Sequence, residues 1–144
     1  MAAAILSIAG RTGLGLLLAL VLSIVGVWVA WGLYYFFTDA MSKTTRDIMF
    51  LLGAGVGAGL GGSLVWLRID GNSRSALLLL GVIGLVGGVA GSWIGFNYRA
   101  MAEVECCARP QIGIFSYAAF GATLGGNAGT LLAGIAREIL AYRR

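Results

Sequence analysis

Residues 50–67 read FLLGAGVGAGLGGSLVWL. The stretch is apolar, uncharged and dense in glycine. Gly53, Gly57 and Gly61 fall at i, i+4 and i+8, so on a helix they form one strip without side chains. Gly55, Gly59 and Ser63 form a second strip beside it. In water each interior glycine costs a helix roughly 0.8–1 kcal/mol relative to alanine. In lipid the non-helical alternatives are worse, because every unpaired backbone group there costs free energy. The bare strip then becomes useful. It lets a second backbone approach, and close van der Waals packing drives association between membrane helices.

The strip recurs as Gly87, Gly91 and Gly95, and again as Gly121, Gly125 and Gly129, each copy 34 residues after the last. Other positions in this alignment match poorly, such as Leu52 against Val86 and Phe120. The spacing therefore reads as a helix-plus-loop period more than as duplication. The pattern predicts an all-α integral membrane protein, one domain of four transmembrane helices in a glycine-zipper packed bundle. The expected spans are 13–37, 48–67, 76–98 and 112–136, followed by a short basic tail, 137–144.

Composition agrees. Of 144 residues, 59% are hydrophobic and 11% charged, with mean hydropathy +0.91. A soluble domain carries about 25% charged residues. The net charge of +4 comes from cations in loops and at the ends, with no basic stripe of the kind nucleic acid requires. Histidine is absent, which removes the commonest metal ligand and acid–base group. The only cysteines, Cys106 and Cys107, are adjacent, so neither zinc spacing nor a CxxC pair exists. A vicinal disulfide, a bridge to another chain and free thiols all stay open for them. Gly57, Gly59 and Gly62 match GxGxxG, but that fingerprint needs a strand before it, and a hydrophobic span supplies none.

Along the chain, Met1–Gly10 is apolar and is followed by Arg11. The charge lies on the wrong side of the apolar piece for a secretory signal, so the segment is expected at the membrane interface or on a partner. The first span lacks the glycine strip, although Ala19 and Ser23 are small, and is expected to pack less closely than the others. Its far end holds Trp28, Trp31, Tyr34 and Tyr35, which read as interfacial anchors. Trp66 with Arg68, and Trp93 with Tyr98, read likewise. Ser42, Thr44 or Thr45 is expected to cap the second helix, with Asp47 in its first turn. The turn at 69–75 is too short for anything but antiparallel neighbours. Pro110 suits the start of the fourth helix.

Four spans place both termini on one side. That side has six cations, Arg11, Arg68, Arg74, Arg137, Arg143 and Arg144, against four on the other, Lys43, Arg46, Arg99 and Arg109. The positive-inside rule puts both termini in the cytoplasm and the Cys106/Cys107 loop opposite.

No charged residue falls within the expected spans, which argues against a proton-coupled transporter. The small multidrug transporters carry a glutamate in their first helix, and this chain has none there. Fluoride channels carry a Phe- and Thr-rich third helix, unlike GVIGLVGGVAGSW here. Asn127 is the polar residue most costly to bury, and Thr123 and Thr130 share its helical face. Two readings fit these three. One is interhelical hydrogen bonding, about 0.6–2 kcal/mol each. The other is a pore lining or ligand contact.

The leading functional expectation is a small non-enzymatic membrane subunit whose surplus glycine faces dock other integral membrane subunits or copies of itself. The alternative is a homo-oligomeric passive pore lined by Gly, Ser, Thr and Asn. No cofactor or metal is expected. Bound lipid or quinone is compatible with helix grooves, but no residue in the sequence specifies either.

Overall fold

The computed structural model describes residues 2–37, 42–67, 74–102 and 112–142, with side chains described for 7–37, 42–66, 78–98 and 116–135. Within these the chain is all-helical: α1 (Ala2–Phe36), α2 (Lys43–Leu67), α3 (Arg74–Ala102) and α4 (Ile112–Tyr142). The expected connection at 69–75 falls largely outside the described residues, as do Arg68, Glu103, Glu105, Cys106, Cys107, Pro110 and the last two arginines.

Among the described residues, three stretches are long and apolar enough to cross a membrane: Ser7–Phe36, Lys43–Trp66 and Leu78–Tyr98. The expected fourth span is not among them. α4 has the length, at 31 residues, but Asn127, Thr123, Thr130 and several glycines dilute its apolar character.

α1 also departs from expectation. It is one continuous helix of 35 residues, about 52 Å long at 1.5 Å per residue, with no break after Gly10. Arginine is a good helix former, so Arg11 lies inside the helix and inside the first candidate span. The expectation of charge-free spans fails there.

The start of α2 follows the capping reading. Ser42 Oγ accepts a hydrogen bond from the Thr45 N–H at 3.2 Å. Asp47, however, lies beyond the first turn of this helix. Its carboxylate pairs with Arg46 instead, at 3.0 Å.

Sequential helices are antiparallel. Gly53, Gly57 and Gly61 of α2 meet, in turn, Gly26, Leu22 and Ala19 of α1. Gly55 and Gly59 meet Val89 and Gly84 of α3. Gly87, Gly91 and Gly95 meet Gly125, Gly121 and Tyr117 of α4. α2 and α4 run parallel and touch at Ala58–Gly126. The cross-section is a rhomb. α2 and α4 form its short diagonal, and α1 and α3, at the far corners, hardly touch. In its candidate span α2 is 56% buried, against 22% for both α1 and α3.

These contacts are backbone on backbone. A Cβ added at Gly61 would stand 2.5 Å from Ala19 Cα, and one at Gly59 2.5 Å from the Gly84 carbonyl oxygen. At Gly26 and Gly57 it would meet the carbonyls of Gly53 and Leu22 more closely still. The expectation that α1 packs less closely is therefore wrong. Its small residues Ala19, Ser23, Gly26 and Ala30 lie along one face and do for α1 what the glycine strip does for α2.

The interior is correspondingly small-sided. Ala19, Ala54, Ala58 and Ala122 form the fully buried cluster, while Leu17, Val21, Ile24, Val86 and Leu132 point outward. Overpacking a tight contact costs typically 1–3 kcal/mol. Gly57→Ala should therefore destabilise the bundle by about that much, because the methyl meets Leu22 and Ser23 backbone. Gly32→Ala, with nothing within 4 Å, should leave stability unchanged or raised. Reversible unfolding in mixed micelles, followed by far-UV circular dichroism, compares the two.

Candidate functional site

The polar residues named from the sequence are drawn to the middle of the bundle. Ser23, Ser63, Ser92, Thr123, Asn127 and Thr130 are all buried. A buried hydroxyl or amide needs a partner, and most find it in their own helix. Thr123 Oγ1 donates to Ala119 O at 2.8 Å, Asn127 Nδ2 to Thr123 O at 2.8 Å, and Thr130 Oγ1 to Gly126 O at 2.9 Å. Ser63 Oγ does the same with Leu60 O at 2.9 Å. The interhelical bonding expected of Thr123, Asn127 and Thr130 is thus not what they make. A carbonyl one turn back is already in reach of these short side chains.

Nor do the three line one path. The Asn127 Oδ1 atom lies against Gly15 of α1, where an added Cβ would stand 2.7 Å from it. Thr130 fills the junction of three helices, its hydroxyl toward Gly62 of α2 and its methyl toward Gly84 of α3. The interhelical hydrogen bond present is made by Ser92. Its Oγ lies 3.0 Å from Leu51 O of α2 and 2.8 Å from Val89 O of its own helix. Ser23 Oγ is buried and makes no hydrogen bond.

The aromatic anchors gather at one end of the bundle, because the antiparallel order brings the end of α1, the start of α2, the end of α3 and the start of α4 together. Trp28 is 65% exposed and meets Trp31 edge-on at 5.8 Å, and Trp31 stacks on Tyr35 at 5.9 Å. Tyr34 meets Phe50 of α2 at 6.3 Å. Trp93 is exposed, and Tyr98 stacks on Tyr117 of α4 at 6.4 Å.

Trp66 does not join them. It is 2% exposed, at the opposite end of the bundle, with its ring over Gly134 of α4 and the Arg11 guanidinium 5.8 Å from the ring centroid. The interfacial role expected for it is replaced by an internal one. Gly134 provides the space, since a Cβ there would stand 2.6 Å from the ring. A lone tryptophan beside an arginine in sequence looks like an anchor whichever way it faces. Only the position of α4 tells the two apart.

The outer surface carries a groove of 490 Å³ between α1 and α2, lined almost wholly by apolar atoms. Gly26, Gly53 and Gly57 lie along it, between larger residues such as Val29 and Val56. Sequence reasoning missed this groove and the contribution of Gly15 and Gly26. The signal was the run of small residues Gly15, Ala19, Ser23 and Gly26, spaced three or four apart as the glycine strips are. Among the described residues no group of three or more Cys, Asp or Glu side chains is placed to hold a metal ion.

Comparison with protein-family models, with curated proteins and with solved structures gives no match.

The hydrogen bonding separates two serines. Ser92→Ala should cost about 0.6 kcal/mol, the average for an interhelical bond in a membrane bundle. Ser23→Ala should leave stability unchanged or slightly raised, because its hydroxyl is buried without a partner. Steric-trapping unfolding of both variants in bicelles measures the difference.

Proposed function

We propose that this chain is an integral membrane protein, a glycine-zipper four-helix bundle acting as a non-enzymatic structural subunit of a larger membrane complex. The observation that carries the reading is the inversion of its packing. Alanine, glycine, serine and threonine fill the inside, while leucine, valine, isoleucine and tryptophan cover the outside. A soluble monomer rarely exposes contiguous apolar patches beyond a few hundred Å². In lipid the same surface is the solvent-facing one, and small residues belong at the helix contacts. The aromatic residues at one end fit a headgroup level. The count of six cations to four favours both termini in the cytoplasm.

The route to partners differs from the one the sequence suggests. The three glycine strips already face neighbours within the chain, so none of them is surplus. Other subunits, or other copies, would meet the side-chain-bearing outer faces of α1 and α3, the two least buried candidate spans. A structural role suits an object whose backbone contacts are satisfied internally and whose outside is smooth and apolar.

The second reading is a passive pore. The own-helix bonding of Thr123, Asn127 and Thr130 favours the subunit reading, because these groups are closed off within one bundle. A pore would have to form between copies.

Native mass spectrometry of the protein, taken from its own membrane in mild detergent, tests the proposal. The protein should resist an alkaline wash, leave the membrane with detergent, and travel with larger proteins at fixed stoichiometry. Release by the wash alone would refute the membrane reading. A closed ring of identical chains would put the pore first, and Asn127→Leu should then change bilayer conductance.

A further inference from the structure

We infer that the groove between α1 and α2 is a binding site for one anionic phospholipid, with an acyl chain along the groove and the head group at Lys43 and Arg46. The inference rests on the membrane reading and adds a ligand of stated chemistry to it.

The groove has a shape that follows from the helix contact. Where Gly26, Gly53 and Gly57 bring the two backbones together, they leave no side chains to fill the outer side of the seam. Branched residues on either side, Val29 on α1 and Val56 on α2 among them, stand up as walls. The result is a smooth apolar channel, not a flat helix face.

Its length selects the occupant. It runs from Leu60 to Met49 on α2 and from Leu22 to Leu33 on α1. At 1.5 Å per residue either edge is about 16 Å long. That is about half of the ~30 Å hydrocarbon core, the depth of one leaflet. A partner transmembrane helix is about 10 Å across with its side chains and apolar through both leaflets. It has no reason to stop halfway. A lipid chain does stop there.

The two ends differ in charge. The inner end, at Leu22 and Leu60, is apolar. The outer end opens toward the start of α2. One helical turn before Met49 stands Arg46, and Lys43, exposed, lies another turn back. Arg46 is held by Asp47, through Nε at 3.0 Å and through the second guanidinium nitrogen at 3.0 Å. Two cations and one carboxylate leave one net positive charge at this mouth. Tyr34, against Phe50, lies at the same level. An occupant that is apolar for one leaflet and negative at its outer end satisfies both ends of the groove, and a zwitterionic lipid satisfies only one.

The test uses the full chain in mild detergent, titrated with dioleoylphosphatidylglycerol or dioleoylphosphatidylcholine and read by native mass spectrometry. The native chain should retain one phosphatidylglycerol in preference to phosphatidylcholine by about five-fold, the ratio for one net charge near an anionic headgroup layer. Val56→Trp, which fills the channel from its wall, should lose the retained lipid, and Leu52→Trp should act likewise. Lys43→Gln with Arg46→Gln should abolish the preference and keep the weaker phosphatidylcholine binding. Leu132→Trp, on the exposed side of α4, should behave as native. Equal retention of the two lipids by the native chain would overturn the inference. So would undiminished binding in both tryptophan variants, or a dimer that cross-links through a cysteine placed at position 56. In each of these cases a protein that still needs detergent for extraction keeps the membrane reading intact. Loss of that requirement would remove both.

Discussion

Everything in this bundle depends on how close two helix backbones can come. At Gly26–Gly53, Gly91–Gly121 and Gly87–Gly125 the carbonyl of one helix lies where the other would otherwise carry a side chain. Without a hydrophobic driving force between helices in lipid, such contact supplies the attraction through dispersion and small-residue packing. Each glycine sacrifices local helix propensity, by up to about 1 kcal/mol in water, and the neighbouring backbone makes use of the vacated space. The rhomb follows from this economy. α2 carries a small-residue strip for α1 and another for α3, with Ala58 and Gly62 left for α4. It is accordingly the most buried of the three candidate spans.

The same geometry disposes of the polar residues. A helix packed backbone to backbone has little room for side chains that reach across. Serine and threonine therefore bond to a carbonyl in the turn before, as Thr123 and Thr130 do. Asn127, larger, bonds to Thr123 O and finds room for its other amide atom against Gly15. Ser92 alone of the group reaches a neighbouring helix, because Leu51 O is presented directly to it. Thr130 fills a corner between three helices and acts by shape as much as by its hydroxyl.

The two ends of the molecule are unlike. At one, exposed aromatic rings from α1, α3 and α4 gather around the charged start of α2. At the other, Trp66 is enclosed and Arg11 lies over its face. The enclosed tryptophan ties the early part of α1 to the ends of α2 and α4. It serves packing, where the exposed rings serve a surface.

The amino-acid sequence by itself determined the helices, their order and the positions of the glycine strips. Periodicity and composition are local properties, and Gly53, Gly57 and Gly61 are bound to share a face on any helix. Ser42 as a cap was legible for the same reason. What each strip faces was not legible, because a strip of small residues looks alike whether its neighbour is in the same chain or another. The tertiary structure decided that the strips meet one another within the bundle, and that α1 joins through Ala19, Ser23 and Gly26 despite having a weaker pattern. It also decided that Trp66 turns inward, because Gly134, far away in sequence, makes the space. The α1–α2 groove arises likewise, since it exists only where two helices leave a seam between them.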